Sequence, residues 1–287
     1  MIDQDRLAEK ILAYMRHKGY TVCNGPGEYN IVYLEGADAD GRPNADTIDV
    51  WNDRRLLIRH DTDGTARMVL NAMATTEPGL AATHSTAARK RGGVARIAIG
   101  QHTAWKMGFH KQLVTHPALV QTQPLNVHRD YNRDGRRTGD RLDVGLFGIN
   151  QHSTRPGIRP KNVGRWSEGC LVGQTWEEHL NFIDLLRTDV RFQADKDFVF
   201  TTTVIDTTDF AKWLASEISG MIVAPRLSVS VSMCKSPGRN GGRGFFRVLW
   251  ALGRGGDVCA NDYEPRLLPH VLRQPGPADG LSDGMGQ

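Results

Sequence analysis

The 287-residue chain has only four cysteines, Cys23, Cys170, Cys234 and Cys259, with no C-x-x-C pair among them. That spacing excludes a zinc-ribbon or zinc-finger framework, and so few cysteines in so long a chain argue against a disulfide scaffold. Long apolar runs are also missing. The best, Phe245 to Leu252, is short and carries Arg247, far below the roughly 20 residues of a membrane helix, so no membrane insertion is expected. The opening Met1-Ile2-Asp3-Gln4-Asp5-Arg6 is acidic and polar, unlike a secretory signal. Synthesis in the cytoplasm is therefore expected, with any site of action in the cell wall or periplasm reached by holin-, virion- or lysis-type delivery. Charge of one sign is scarce too: the net charge is +4, and the cations cluster only at Arg89-Lys90-Arg91. No nucleic-acid partner is expected from that balance.

What is present is a packed core's worth of apolar residues, 39% of the chain, in short segments. Residues 1–20 read as an N-terminal helix: Leu7, Ile11, Leu12 and Met15 recur at helical spacing, and Lys18-Gly19 closes it. From residue 21 the texture changes to β-branched and aromatic runs: Tyr29 to Leu34, Arg55 to Arg59, Thr65 to Leu70, Val94 to Ile99, Asp143 to Ile149 and Phe198 to Ile205. Asp61-Thr62-Asp63-Gly64 is a hairpin signal. Thr175-Trp176-Glu177-Glu178 is a capping-box pattern opening a helix over 175–188, and a second short helix starts at Thr208. The expected class is a β-rich α+β fold over 21–220. Residues 221–287, rich in Gly and Pro without a sustained period, read as a flexible, irregular tail.

The chemistry concentrates at His152 and Cys170. His152 follows an apolar run (Val144, Leu146, Phe147, Ile149), and Cys170 ends Ser167-Glu168-Gly169-Cys170. An imidazole that takes a thiol proton makes a thiolate nucleophile, and a small residue such as Gly169 beside it admits a substrate backbone. The amides of the helix that begins soon after are expected to favour the thiolate, and Ser167 to hydrogen-bond near the pair. His110, His116, His128 and His179 compete for the base role. The bland alternative is a buried structural cysteine and a strand-end histidine.

These residues resemble the YkuD-type L,D-transpeptidase catalytic domain: a strand-end His, a loop of about fifteen residues, then Ser-x-Gly-Cys-x-Arg before a helix. His152, Ser167, Gly169 and Cys170 match. Ala74-Thr75-Thr76-Glu77-Pro78-Gly79 loosely resembles that family's Thr-Pro-x-Gly crossover. Two positions depart: Ser153 stands where the family has glycine, and Val172 where it usually has arginine, with Arg165 or Arg159 as substitutes from the loop. The resemblance implies a mixed β-sheet or sandwich and a cysteine acyl-enzyme acting on peptidoglycan stem peptides, as transpeptidase or peptidase, with no cofactor. It also implies backbone N–H groups at Gly169 and Cys170 as oxyanion donors. Two other readings remain. One is a non-catalytic cell-wall-binding or phage structural protein on the same fold. The other is a papain-like or NlpC-type peptidase, disfavoured because those place the nucleophile before the histidine.

A weaker constellation is Asp130, Asn132 and Asp134 before Gly135, which mimics half of an EF-hand calcium loop. The position where that motif has Glu is Arg141, so a polar hairpin turn is the favoured reading.

Overall fold

The computed structural model describes residues 3–113 and 115–223, which form one compact unit. In chain order the elements are α1 (Gln4–His17), β1 (Tyr29–Glu35), β2 (Asp53–His60), β3 (Ala66–Thr75), α2 (Leu80–Thr83), α3 (Thr86–Lys90), β4 (Val94–Ile97), β5 (Gly100–Phe109), a 3-10 turn (His110–Gln112), β6 (Pro117–Gln121), β7 (Leu125–Asp130), β8 (Arg141–Gly145), β9 (Gln151–Ser153), β10 (Leu171–Gly173), α4 (Trp176–Arg187), α5 (Val190–Ala194), β11 (Phe200–Asp206) and α6 (Thr207–Val223). Eight strands close into a barrel in the order β1-β11-β5-β6-β9-β10-β3-β2, and β4-β7-β8 form a separate three-stranded sheet. The β-rich α+β class expected from the strand texture is therefore present, as a barrel with a side sheet.

The alternation of side chains along β1 explains why the barrel is covered on both faces. Tyr29, Ile31 and Tyr33 join Leu57, Trp105, Leu171 and Phe182 in the interior cluster. Val32 and Leu34 point the other way, into a cluster with Leu7, Ile11 and Leu12 of α1 and Phe210 of α6. A strand buried on both faces reads as a continuous apolar run, and all seven β1 residues are buried. Asp3 caps α1 by accepting from the Arg6 N–H at 3.0 Å. The hairpin between β2 and β3 turns through Asp61 to Gly64, with Gly64 at φ +82°.

Three expectations change. The run Asp143 to Ile149 is not one strand feeding His152: β8 ends at Gly145, Val144 on it is 62% exposed, and Leu146 just after it is 65% exposed. At α4, Thr175 is the N-cap residue, but its hydroxyl donates to Glu178 at 2.6 Å instead of bonding a backbone amide. Of the stretch 221–287 expected as a tail, residues 221–223 belong to α6, and residues 224–287, which include Cys234, Cys259 and the 245–252 run, lie outside the described residues. Among the described residues no helix is long and apolar enough to cross a membrane.

Candidate active site

Two short parallel strands carry the pair singled out in the sequence. β9 and β10 align Leu171 with Gln151 and Val172 with His152, so Cys170 stands one step before β10, diagonal to His152. Gln151 and Leu171 point into the barrel: Gln151 Nε2 donates to Thr202 Oγ1 at 2.7 Å, and Leu171 joins the interior cluster. The alternation then turns His152 and Cys170 the other way, onto one cleft of about 560 Å³ that both line.

The imidazole of His152 is 4% exposed and its Nδ1 lies 2.9 Å from the Ser153 carbonyl. A carbonyl only accepts, so Nδ1 carries the proton and Nε2 keeps its lone pair. Burial, then the neighbouring His110, holds His152 well below the usual imidazole value, so it is neutral near pH 7. The rings of His110 and His152 stack at 3.9 Å. His110 Nδ1 accepts from Asn150 Nδ2 at 3.2 Å, because Asn150 Oδ1 is taken by the Gln121 N–H. Burial brings His110 down to about 4. His110, set aside in the sequence as a losing competitor, is thus a second cleft imidazole beside the first.

The half-buried thiol of Cys170 accepts from the Asn150 N–H at 3.4 Å and donates to the Gly148 carbonyl at 3.6 Å. Loss of solvent pushes it up to about 11. The helix amides expected to lower it are not its partners; the one backbone N–H that contacts the sulfur belongs to Asn150, and burial outweighs it. The resting pair is a neutral thiol and a neutral imidazole.

The turn before Cys170 is braced from three sides. Ser167 is fully buried; its Oγ donates to the Cys170 carbonyl at 2.8 Å and accepts from the Gly169 N–H at 3.1 Å. Ser167 is therefore a turn brace, and the Gly169 amide expected as an oxyanion donor is already engaged. Gly169 has φ +121°, and a Cβ there would sit 2.4 Å from the Ala95 carbonyl oxygen of β4. Only glycine fits so close to a backbone oxygen. On the other side, the Gly79 N–H donates to the Ser167 carbonyl at 3.0 Å, so the end of segment 74–79 is bonded to the cysteine turn. A buried ion pair of Arg96 with Glu77 ties that segment to β4.

Arg55, unremarked in the sequence, reaches the pair from inside the barrel. It is 1% exposed and has no carboxylate partner among the described residues. Its Nε donates to the Tyr33 hydroxyl at 2.6 Å, Nη1 to His179 Nδ1 at 3.0 Å, and Nη2 to the carbonyls of His152 at 2.9 Å and Leu171 at 3.2 Å. The guanidinium also lies 4.5 Å from the Phe182 ring centroid. The sequence held a signal: Arg55 shares the period-2 face of Leu57, an interior position.

Other expected residues fall elsewhere. His179 is fully buried, with Nδ1 on Arg55 and Nε2 donating to the Pro117 carbonyl at 2.8 Å, so it cannot serve Cys170. Val172, where the family usually has arginine, is fully buried in a small apolar cluster with Trp51 and Val163. Arg165 lines the cleft, whereas Arg159 bonds Gln174 outside it. Asp130, Asn132 and Asp134 occupy the turn between β7 and β8. There Asp130 accepts from the Gly135 N–H, Asn132 donates to Asp134, and Asp134 accepts from the Arg136 N–H. Their hydrogen bonds close the turn. The acids that converge among the described residues are instead Glu35, Asp46 and Glu77, where Arg137 and Arg96 supply the counter-charge.

No family model, no curated protein and no solved structure matches this chain. The reading of the site rests on its own chemistry.

Proposed function

We propose that the protein is a cysteine acyltransferase or peptidase of the L,D-transpeptidase type, acting on peptidoglycan stem peptides through Cys170. The observation that carries this reading is that one cleft holds both the Cys170 thiol and the His152 imidazole, whose tautomer leaves Nε2 free to take a proton. In the first half-reaction Nε2 of His152 accepts the thiol proton and Sγ bonds to the substrate carbonyl carbon. The C–N bond then breaks, and His152 returns the proton to the departing amine, leaving a thioester. In the second, an acceptor amine or water attacks the thioester while His152 takes its proton and returns it to sulfur. With Gly169 N–H engaged by Ser167, the Cys170 amide is the candidate oxyanion donor. A neutral resting pair fits a proton transfer that occurs only when substrate excludes the remaining water.

A second reading is favoured by one observation. The thiol donates to the Gly148 carbonyl and is pushed up to about 11, as befits a packed cysteine in a cell-wall-binding or virion structural protein. Incubation of purified peptidoglycan with the wild type and with Cys170→Ala, followed by mass spectrometry of the muropeptides, separates the two. The catalytic reading requires new or lost crosslinks with the wild type alone. Identical profiles from both proteins overturn it.

A further inference from the structure

Away from the cleft, the ends of β1, β2 and β3 bring two carboxylates to one hydroxyl. Glu35 closes β1, Asp53 opens β2 and Thr76 follows β3; all three are buried, Asp53 and Thr76 completely. Thr76 Oγ1 lies 2.7 Å from Glu35 Oε2 and 2.9 Å from Asp53 Oδ2. A threonine hydroxyl has one proton to donate. Were both acids ionised, one of these contacts would set lone pairs against lone pairs, away from water.

The partners of each acid decide which one holds a proton. Glu35 accepts from both Nη atoms of Arg137, a fork that suits an ionised carboxylate. Burial opposes the charge on Glu35, but Arg137 and then Arg96 hold its carboxyl below the ordinary range. Asp53 has no ion-pair partner among the described residues. Its Oδ1 accepts from the Gly36 N–H at 2.8 Å, and its Oδ2 from the Thr76 N–H at 2.6 Å. Burial, then the charge of Glu35, outweighs those two amides and pushes Asp53 up to about 7. The charged groups on the surrounding elements do not reverse this. Asp46, in the loop after β1, adds negative charge. Arg96 of β4 is paired with Glu77, and Arg137 of the turn between β7 and β8 with Glu35. Asp206, at the end of β11, is registered beside Glu35 and is exposed.

We propose that Asp53 and Glu35 share one proton through the Thr76 hydroxyl, Asp53 donating to Thr76 Oγ1 and Thr76 to Glu35, and that this proton is a pH-sensitive latch on the turn that carries Cys170. Thr76 is tied to that turn from both directions along the chain. Thr75, before it, is registered with Val172, two residues past Cys170. After it, Glu77 pairs with Arg96 of β4, and the Gly79 N–H donates to the Ser167 carbonyl. With the proton in place the line of donors from Asp53 to Glu35 is complete. When the proton leaves, two buried carboxylates face one hydroxyl proton, one contact opens, and the segment 76–79 loosens its hold on the cysteine turn. The latch exists whether or not Cys170 is a nucleophile; only its consequence for turnover rests on the catalytic reading.

The test is a carboxyl carbon-13 NMR titration of the full-length wild type, with the Asp53 signal assigned by through-bond correlation to its own backbone. Asp53 is expected to titrate near pH 7, about three units above an unperturbed aspartate. Glu35→Gln removes the charge that holds the proton and should bring the midpoint down by about one unit or more. A wild-type midpoint below about 5, or one that Glu35→Gln leaves in place, overturns the shared proton. Stability gives a second readout. The folded chain keeps a proton that the unfolded chain releases above about pH 4, so stability is lost as pH rises from there to about 7 and levels off beyond. Relative to Asp53→Asn, the unfolding constant of the wild type in urea should rise about tenfold per pH unit across that window. A difference that stays flat with pH overturns the proposal. Protection of the Gly79 amide from hydrogen exchange, taken against its intrinsic rate, should fall through the same midpoint; constant protection overturns the latch. None of these readouts depends on turnover, so a Cys170 that never acylates leaves the proposal standing.

Discussion

Arg55 Nη2 donates to the main-chain carbonyl of His152 at 2.9 Å, so the residue proposed as base is held from behind by a buried guanidinium on a strand 97 residues away in sequence. The same nitrogen reaches Leu171, the residue after Cys170, at 3.2 Å. β9 and β10 are three residues each, and β9 meets β6 at a single registered pair, Leu119 with Gln151. Strands this short have few ladder bonds of their own, and Arg55 adds cross-links that fix their separation.

Replacing Arg55 with Met should therefore cost about 2–4 kcal/mol, because two buried carbonyls and the Tyr33 hydroxyl lose a donor. Arg55→Lys should recover only part of this, since one ammonium cannot span Tyr33, His179 and both carbonyls as a planar fork does. Urea unfolding measures both. Equal stability of Arg55→Met and wild type would show that the network carries no weight.

Gly169 and Gly148 make a paired prediction. Both have positive φ, +121° and +74°, but a Cβ at Gly148 meets nothing within 4 Å whereas one at Gly169 meets the Ala95 carbonyl oxygen. Gly148→Ala should cost about 1 kcal/mol, the ordinary left-handed penalty. Gly169→Ala should cost more, about 2–3 kcal/mol, and should also lower turnover by displacing the sulfur. Thermal melts and peptidoglycan turnover on the two variants check the order; a milder effect at Gly169 would contradict the packing described.

The pH behaviour follows from two shifts of opposite sense. Cys170 is raised to about 11 from 9.0, so the thiolate is scarce at neutral pH and grows as pH rises. At pH 8 iodoacetamide should alkylate Cys170 about 100-fold more slowly than an unperturbed thiol, with the rate climbing through pH 11. His152 is lowered well below 6.5, so it stays unprotonated and competent as a base on the acid side of that value. The acid limb of kcat/KM should accordingly fall below pH 6.5. A limb at 6.5 or above would show that the imidazole is not depressed, and rapid alkylation at pH 7 would show that the thiol is already ionised at rest.

Much of the fold was legible because it depends on local pattern. The strand of Tyr29 to Leu34, the hairpin at Asp61 to Gly64 and the helix beginning after Thr175 all have a period or a turn residue that states the element. The segment Asp143 to Ile149 misled because two of its apolar residues, Val144 on the small sheet and Leu146 just beyond it, are left exposed, and burial is not a local property. At the site, Cys170 and His152 were visible as residue types and the structure brings them to one cleft. Their environment was not visible. His110 comes from a turn after β5, Asn150 supplies the amide at the sulfur, and Arg55 arrives from across the barrel; each is a contact between distant segments that β9 and β10, too short to show any period, do not announce.

The most direct measurement is intact-protein mass spectrometry after brief mixing with a stem tetrapeptide and acid quench, followed by peptide mapping. The account predicts an adduct equal to the tetrapeptide less its terminal amino acid, carried by Cys170 in the wild type and absent from Cys170→Ala. An unmodified Cys170 in a protein that still remodels peptidoglycan, or the same adduct on Cys23, would contradict it.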